Sequence, residues 1–236
     1  MRLDNFLFEK KYTQSRNKAK QMIKDRLVLV NGVVVDKASF QVESDAKIEF
    51  VKYDKYVSRG AYKLKGVLDE ISLNIQEKTA LDIGSSTGGF TQVLLEYGAK
   101  KVYAVDVGKN QLHKTLRDDE RVEVFEGCDI RKFSTDQKFE IVVSDVAFIS
   151  LLYILDDIKR VASKDIILLF KPQFEVGKDV KRDKNGVVLD KKAIENAMLK
   201  FEDTCALKGF QILLKMPSPI KGKEGNQEWC YYMQVS

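Results

Sequence analysis

The chain has 236 residues, of which 44% are hydrophobic and 32% are charged, and its formal net charge is +5. This length is enough for one domain of ordinary size plus a smaller one. The longest apolar runs are far too short to cross a bilayer and no signal peptide is visible, so we expect a cytoplasmic protein with no membrane partner.

The cysteine and histidine content excludes several kinds of site. Cys128, Cys205 and Cys230 form no C-x-x-C pair and show no metal-ligand spacing, so we expect three reduced thiols. His113 is the only histidine, which excludes Ser-His-Asp catalysis and histidine-based metal sites. We therefore expect no bound metal.

Residues 1–52 predict a small α+β domain. Apolar spacing indicates a short helix at residues 3–7 and a second helix after Ser15, whose side chain can cap it. Asn31-Gly32 lies between two valine-rich runs and predicts a β-hairpin, and residues 48–51 predict a further strand.

Basic residues cluster in this first domain. Arg16, Lys20 and Lys24 fall four residues apart on one face of the second predicted helix. Such a stripe can neutralise successive phosphates of a nucleic acid. A solvated basic face on a structural domain is the alternative interpretation.

The residue order of the first domain resembles the S4 RNA-binding domain. The resemblance rests on Arg2-Leu-Asp4, on Ser15-Arg16 and Ile23, and on Val28-Leu-Val-Asn-Gly-Val33. It implies that this domain binds RNA. The residues expected to contact RNA are Arg2, Lys11, Ser15, Arg16, Lys18, Lys20, Lys24 and, in the next domain, Arg59.

Residues 53–57 are predicted to link the first domain to a second, over residues 58–236. Ser58 is expected to cap a helix that carries Lys63 just ahead of the next strand. Alternatively, Lys63 is an ordinary surface lysine whose aliphatic chain lies along the helix and whose amine is in water.

The segment Thr79-Ala-Leu-Asp-Ile-Gly-Ser-Ser-Thr-Gly-Gly-Phe90 predicts a short buried strand, a glycine-containing turn and a helix. In open α/β sheets, ligands bind at the carboxyl ends of the strands, where such a turn lies. The dinucleotide-binding motif G-x-G-x-x-G requires a glycine where this chain has Ser86, and a P-loop requires Gly-Lys-Ser/Thr after the turn. The turn therefore matches neither motif.

Two acids indicate the ligand of this turn. Asp106 ends the next strand, about 20 residues after Gly84, where an acid can accept hydrogen bonds from both ribose hydroxyls. Residues 122–125 predict a third strand, and Asp129 follows it, where an acid commonly meets an adenine amino group. A nucleoside bound without phosphates indicates S-adenosylmethionine, and a tight turn with no ligand is the alternative. The expected cofactor-binding residues are Asp82, Gly84, Ser85, Ser86, Thr87, Gly88, Gly89, Asp106, Val107, Asp129, Ile130 and Asp145.

The remaining pattern completes an α/β sheet that closes with an antiparallel pair. Short apolar runs predict its strands, and wider apolar spacing predicts the helices between them. The predicted strands are residues 139–144, 165–170, 210–214 and 229–235, and the predicted helices are residues 149–155 and 191–208.

Two lysines and two acids are expected at one edge of this sheet. Asp145 and Lys171 follow neighbouring strands, and Pro172 keeps Lys171 extended at its strand tip. Lys63 and Glu228 can reach the same edge from a helix and from the last strand. A lysine whose pKa is lowered by burial and by a second lysine can take the proton of a ribose hydroxyl, with Lys171 as the expected base. Two surface lysines near a nucleotide site are the alternative.

These four residues resemble the K-D-K-E tetrad of the FtsJ-like ribose 2′-O-methyltransferases. Ser58-Arg-Gly-Ala-Tyr-Lys-Leu64, Asp145-Val-Ala-Phe-Ile-Ser-Leu151 and Phe170-Lys-Pro-Gln-Phe-Glu175 resemble the TlyA family more specifically. The resemblance implies a Rossmann-like class I S-adenosylmethionine-dependent methyltransferase fold, with a mostly parallel seven-stranded sheet after the S4 domain. It also implies 2′-O-methylation of cytidines in 16S and/or 23S ribosomal RNA, with ribosomal RNA or ribosomal subunits as partners.

Three alternatives stay open. Glu224 could replace Glu228 as the fourth tetrad member, although Gly225-Asn-Gln-Glu228 matches the family pattern better. Members of the family are also labelled hemolysins, so a membrane-active protein is a rival function, although no membrane-spanning segment is visible. An RNA-binding factor with an inactive methyltransferase fold is the other rival.

Overall fold

The computed structural model describes residues 1–13, 15–24, 27–50 and 56–235. By its internal contacts the chain divides into two units, Met1–Lys55 and Tyr56–Ser236. The predicted linker, residues 53–57, lies partly outside the described residues. Its last two residues belong to the second unit, where the hydroxyl of Tyr56 donates to Glu96 at 2.7 Å.

Two short helices and a small antiparallel sheet form the first unit. Its elements are α1 (Leu3–Glu9), α2 (Arg16–Lys24), β1 (Val28–Val30), β2 (Val33–Val35) and β3 (Ile48–Phe50). The sheet order is β2–β1–β3. Asn31 and Gly32 have φ values of +50° and +78°, the left-handed conformation that a two-residue hairpin turn requires. The predicted α+β fold of this unit is confirmed.

A seven-stranded sheet forms the centre of the second unit. Its strands are β4 (Thr79–Ile83), β5 (Lys101–Asp106), β6 (Val122–Glu126), β7 (Phe139–Ser144), β8 (Ala162–Phe170), β9 (Phe210–Pro217) and β10 (Trp229–Val235). They lie in the order β6–β5–β4–β7–β8–β10–β9. The first five in this order are parallel, and β10 pairs antiparallel with β8 and with β9. The predicted mostly parallel seven-stranded sheet is confirmed.

Two predictions about where helices begin are wrong. The helices of the second unit are α3 (Gly60–Glu70), α4 (Gly89–Glu96), α5 (Lys114–Arg117), α6 (Leu155–Val161), α7 (Pro172–Glu175) and α8 (Lys191–Leu207). Ser58 does not cap α3, because its Oγ packs against Gly89, where an added Cβ would lie 2.1 Å away. The helix expected at residues 149–155 begins only at Leu155, because Ser150 caps a 3-10 turn ahead of it.

The sheet is buried on both faces, which explains its continuous apolar strands. On one face, α6 and α8 pack over a core that includes Leu168 of β8. On the other face, α3 and α4 pack over a core that includes Leu169, the next residue of the same strand. The helices therefore cover the faces and leave the carboxyl ends of the parallel strands for a site.

Candidate functional site

A cavity of about 460 Å³ lies at the carboxyl ends of β4, β5 and β7. Small-molecule sites commonly have volumes of roughly 300–1,000 Å³, so the cavity has the size of a nucleoside-type ligand site. Ten of the twelve residues expected to hold a cofactor line it: Gly84, Ser85, Ser86, Thr87, Gly89, Asp106, Val107, Asp129, Ile130 and Asp145. The other two, Asp82 and Gly88, do not.

Backbone conformation and packing explain two glycines of the turn. Gly84 and Gly88 have φ values of +80° and +95°, which side chains strongly disfavour. A Cβ on Gly84 would lie 3.1 Å from Val146. A Cβ on Gly88 would lie 2.3 Å from Leu116 of α5. The left-handed backbone and the packing of α5 therefore both require glycine at position 88.

Backbone amides hold the carboxylate of Asp106 at the cavity. The N–H of Ser86 donates to Oδ2 at 2.8 Å, and the N–H of Gly108 donates to Oδ1 at 2.6 Å. Each carboxylate oxygen has a second lone pair that can accept another hydrogen bond. The carboxylate of Asp106 is therefore held in a fixed orientation and can accept further hydrogen bonds from the cavity side.

Asp82 lies buried beneath the glycine turn. Its Oδ2 accepts a hydrogen bond from Oγ1 of Thr91 at 2.7 Å, which ties β4 to α4. Its Oδ1 has no hydrogen-bond partner among the described residues. Burial raises the pKa of Asp82 to about 7, against the opposing effect of the Thr91 hydrogen bonds. Asp82 can therefore support the turn but does not border the cavity.

Asp129 borders the cavity and shares its carboxylate with Arg131. Nη2 of Arg131 lies 2.5 Å from Oδ2, and the backbone N–H of Arg131 donates to Oδ1 at 3.0 Å. Hydrogen bonding to Arg131 lowers the pKa of Asp129, so this carboxylate remains ionised. An ionised acid at this position can accept a hydrogen bond from an amino group.

The four residues predicted for catalysis form one connected network of charges. Nζ of Lys63 lies 2.6 Å from Oε2 of Glu228 and 3.7 Å from Oδ2 of Asp145. Nζ of Lys171 lies 2.5 Å from Oδ1 of Asp145, a close ion pair without the angles of a hydrogen bond. Lys63, Lys171 and Glu228 are 8%, 9% and 2% exposed. Two positive and two negative charges thus compensate one another away from water.

Four separate segments supply this network. Lys63 lies on α3, Asp145 follows β7, and Glu228 immediately precedes β10. Lys171 follows β8 with an extended backbone, φ −113° and ψ 103°, before Pro172 begins α7. In the loop before β10, Glu228 is buried against Lys63 whereas Glu224 is exposed.

The carboxylates determine the charge state of Lys63. Burial lowers its pKa, but the negative charges of Asp145 and Glu228 outweigh burial and the pKa is raised. The expected lowering by burial and a second lysine therefore does not apply to Lys63. Asp145 and Lys171 line the cavity, whereas Lys63 and Glu228 are not among its lining residues.

Several lining residues were not assigned a role from the sequence, and Phe148 is the clearest of them. Its side chain is 91% exposed, its φ is +66°, and its ring centroid lies 5.2 Å from that of Phe174. Phe148 belongs to the segment after Asp145 that matched the family pattern, yet no periodicity indicates an exposed, left-handed phenylalanine. The other unassigned residues include Ser58, Gly60, Gly108, Cys128, Val146, Ala147 and Ile149.

The first unit presents the basic residues predicted to contact RNA. Arg2 and Arg16 are partly exposed, and both donate to Asp4, a buried acid whose role the sequence pattern did not indicate. Oγ of Ser15 accepts from the N–H of Lys18 at 3.1 Å and so caps α2. The remaining predicted residues of this unit are exposed lysines: Lys11, Lys18, Lys20 and Lys24.

Arg59, the one RNA-contacting residue predicted in the second unit, lies beside α3. Its Nη2 donates to the carbonyl oxygen of Lys221 at 2.9 Å. Among the residues that the structure describes, no group of three or more His, Cys, Asp or Glu side chains could hold a metal ion. No helix of this described part has the length and apolar character to span a membrane.

Comparison with known protein families assigns both units. The S4 domain model matches residues 1–48, and the FtsJ-like methyltransferase model matches residues 56–235. The second match covers more than half of the chain and contains the cavity and the four-residue charge network.

Relatives of known name match along nearly the whole chain. The 23S rRNA (cytidine-2′-O)-methyltransferase TlyA of Campylobacter jejuni is 46% identical over 98% of both chains. The 16S/23S rRNA (cytidine-2′-O)-methyltransferase TlyA of Mycobacterium tuberculosis is 35% identical over 99% of this chain and 90% of its own. The solved structure of a proposed hemolysin from Streptococcus thermophilus covers all of this chain and 88% of its own, with 32% identity and a TM-score of 0.77. The chain therefore belongs to the TlyA family, in which an S4 domain precedes an FtsJ-like methyltransferase domain.

Proposed function

We propose that this protein methylates the 2′-hydroxyl of cytidine in ribosomal RNA, with S-adenosylmethionine as the methyl donor. The observation that carries the proposal is the buried network of Lys63, Asp145, Lys171 and Glu228 beside a nucleoside-sized cavity. The names of the Campylobacter and Mycobacterium relatives support the same reaction. Ribosomal RNA as substrate implies a cytoplasmic protein.

The cavity suits S-adenosylmethionine. Asp106 has acceptor lone pairs available for a ribose, and Asp129 offers an acceptor for an amino group. Of the described residues that line the cavity, Lys171 is the only basic one, which favours a ligand without phosphates. When bound, S-adenosylmethionine supplies a methyl group on a positively charged sulfur, so the leaving group needs no metal.

Lys171 is the proposed base. In its uncharged amine form, Nζ of Lys171 takes the hydroxyl proton as the ribose oxygen bonds to the methyl carbon and the methyl–sulfur bond breaks. The ammonium form must first release its own proton to water. Asp145 contacts both lysines and orients the amine of Lys171 beside the cavity. Lys63 and Glu228 remain a charged pair behind them and fix Asp145 in place. Holding the hydroxyl in line with the methyl group supplies much of the remaining rate enhancement.

Phe148 is the proposed platform for the target nucleobase. An exposed aromatic ring in a left-handed backbone conformation is costly, and such strain is concentrated at functional sites. RNA-binding proteins commonly stack unpaired bases on aromatic rings, at roughly 1–3 kcal/mol per base. The ring of Phe174 packs against that of Phe148, with 53° between the two ring planes. The first unit would bind neighbouring RNA through its exposed basic residues.

The proposal is tested by mapping ribose methylation. Purified protein is incubated with 30S or 50S subunits and labelled S-adenosylmethionine, and the modified nucleotides of 16S and 23S RNA are located by mass spectrometry. We expect label on the 2′-oxygen of a cytidine, in 23S RNA at least. Label on a base would refute the reaction. RNA binding without measurable cofactor binding, even with subunits present, would instead favour an inactive RNA-binding factor.

A further inference from the structure

A buried acid joins two arginines in the first unit. Asp4 lies on α1 with its side chain fully buried. Nε of Arg2 donates to Oδ1 of Asp4 at 3.0 Å, and Nε of Arg16 donates to Oδ2 at 3.0 Å. Nη2 of Arg2 also reaches Oδ2, at 3.3 Å. The two guanidinium groups are therefore neighbours, although separate segments of the chain supply them.

The outward nitrogens of both arginines remain available. The side chains of Arg2 and Arg16 are 41% and 45% exposed. Asp4 engages Nε of each and leaves Nη1 of Arg2 and both Nη groups of Arg16 without an intramolecular partner among the described residues. A guanidinium held at its inner nitrogen presents its outer N–H groups in a fixed direction, as bidentate recognition of a phosphate requires.

We propose that Asp4 is a positioning residue for RNA: it holds Arg2 and Arg16 side by side so that together they bind one backbone phosphate. This inference rests on the proposed binding of ribosomal RNA. The net charge of the three side chains is positive, which suits a phosphate. Burial raises the pKa of Asp4, but hydrogen bonds from both arginines outweigh it and lower the pKa to about 2, so Asp4 is ionised whenever RNA is bound.

Charge alone and positioning predict opposite effects of removing this acid. Asp4→Asn keeps the shape of the side chain and removes one negative charge. If only net charge mattered, the variant would bind a polyanion more tightly. If Asp4 orients the arginines, binding weakens, because the amide nitrogen of asparagine replaces one of the two oxygens and leaves one Nε group facing a donor.

The test compares Asp4→Asn with Glu43→Gln, which removes the same charge from an exposed residue of the same unit. Binding to a deproteinised 23S RNA transcript is measured by filter retention over a range of salt concentrations. We expect Asp4→Asn to weaken binding roughly fivefold to tenfold. The slope of log affinity against log salt concentration should fall by about the amount that one phosphate contact contributes. Glu43→Gln should bind as tightly as wild type or more tightly. With ribosomal subunits, the Asp4→Asn defect should appear in KM more than in kcat.

A second pair of variants keeps the inference testable if Asp4→Asn does not fold. Arg2→Lys and Arg16→Lys preserve the charge but lose the fixed guanidinium fork. We expect each to weaken RNA binding several-fold, and Lys37→Arg, at an exposed lysine of the same unit outside the expected RNA contacts, to have little effect. Thermal unfolding and circular dichroism establish that each variant is folded.

The outcomes separate this inference from the proposed function. Unchanged RNA affinity and salt slope in folded Asp4→Asn, or in both arginine variants, would overturn the role of Asp4 and leave the methyltransferase proposal intact. A wild-type protein that binds no ribosomal RNA would refute the proposed function itself.

Discussion

Nζ of Lys63 lies 2.6 Å from Oε2 of Glu228, although 165 residues separate them along the chain. α3 supplies the lysine ahead of the sheet, and the loop before β10 supplies the acid. Both side chains are almost fully buried. Removing one partner of such a pair leaves an uncompensated buried charge, at a cost of about 3–5 kcal/mol. Loss of either partner should therefore destabilise the fold, and Lys63 also contacts Asp145 at the site.

Glu228→Gln should lower both stability and methyl transfer. The pKa of Lys63 is higher in the folded protein than in the unfolded chain. The stabilisation from its ion pair is therefore complete at every pH below the unfolded pKa, and it is lost only as the pH rises through the folded pKa. The loss in melting temperature should therefore be similar at pH 6, 7 and 8, and amount to several degrees. Glu224→Gln, in the same loop, should behave like wild type in both assays. Equal loss of activity in the two variants would contradict the assignment of Glu228.

Lys171→Ala should abolish methyl transfer and leave RNA affinity largely intact. A positioned general base contributes roughly 10²- to 10⁴-fold to the rate, so the methylation rate should fall by at least about 10²-fold. Lys164→Ala is the matched control, because Lys164 is exposed near the other end of β8. Single-turnover methylation of ribosomal subunits gives the rate, and filter binding gives the affinity. Full activity of Lys171→Ala would exclude it as the base.

Phe148→Ala should impair methylation without lowering stability. The side chain is 91% exposed, so its removal costs little burial, while a stacking platform for a base is lost. We expect methylation to fall about 10- to 100-fold, because stacking contributes roughly 1–3 kcal/mol per base. Phe148→Tyr keeps the ring and should retain most activity. If Phe148→Ala methylates normally, the target base is held elsewhere.

Glu126→Gln should weaken cofactor binding from outside the cavity. The carboxylate of Glu126 accepts from the N–H groups of Asn110, Gln111 and Leu112 and from Nη2 of Arg117. These contacts fix the loop that follows Asp106, and an amide cannot accept all four hydrogen bonds. We expect roughly tenfold weaker binding of S-adenosylmethionine by calorimetry.

The control for that loop variant is Glu123→Gln on the same strand. Glu123 pairs with Lys101 on the neighbouring strand β5. Its replacement removes the same charge and should leave cofactor affinity unchanged. Equal weakening in both variants would mean that charge, and not loop position, sets the affinity.

Asp82→Asn should flatten the pH dependence of stability between about pH 4 and pH 7. Because burial raises the folded pKa of Asp82 to about 7, the folded state keeps a proton that the unfolded state releases. The free energy of unfolding therefore decreases as the pH rises from the pKa of Asp82 in the unfolded chain to its pKa of about 7 in the folded protein. The quantity to measure is the melting temperature of the variant minus that of wild type. This difference should be several degrees larger at pH 8 than at pH 5. A constant difference across this range would contradict the raised pKa.

The sequence predicted the sheet well because its strands carry a strong local signal. Each buried parallel strand is a short apolar run that ends in a polar or glycine residue, as at Ile83-Gly84 and Ser144-Asp145. The carboxyl ends of parallel strands meet at one edge, so strand order alone was enough to predict that Asp145 and Lys171 lie together.

Features that depend on distant neighbours could not be predicted in the same way. Gly88 belongs to a turn predicted to bind a ligand, but the sequence does not reveal that Leu116 of another helix leaves no space for a side chain there. Asp4 belongs to a motif of the S4 resemblance, but its burial between two arginines appears only in the fold. Phe148 adopts a left-handed conformation that local propensity disfavours, so no sequence pattern could predict its exposed ring.

The order of the last two strands has a consequence for synthesis. β9 leaves the ribosome before β10, yet in the sheet it pairs with β10, which inserts between β8 and β9. A nascent chain that ends at β9 therefore exposes an unpaired β8 edge and lacks Glu228. Such a chain can neither complete the sheet nor assemble the four-residue charge network, so incomplete chains would be aggregation-prone.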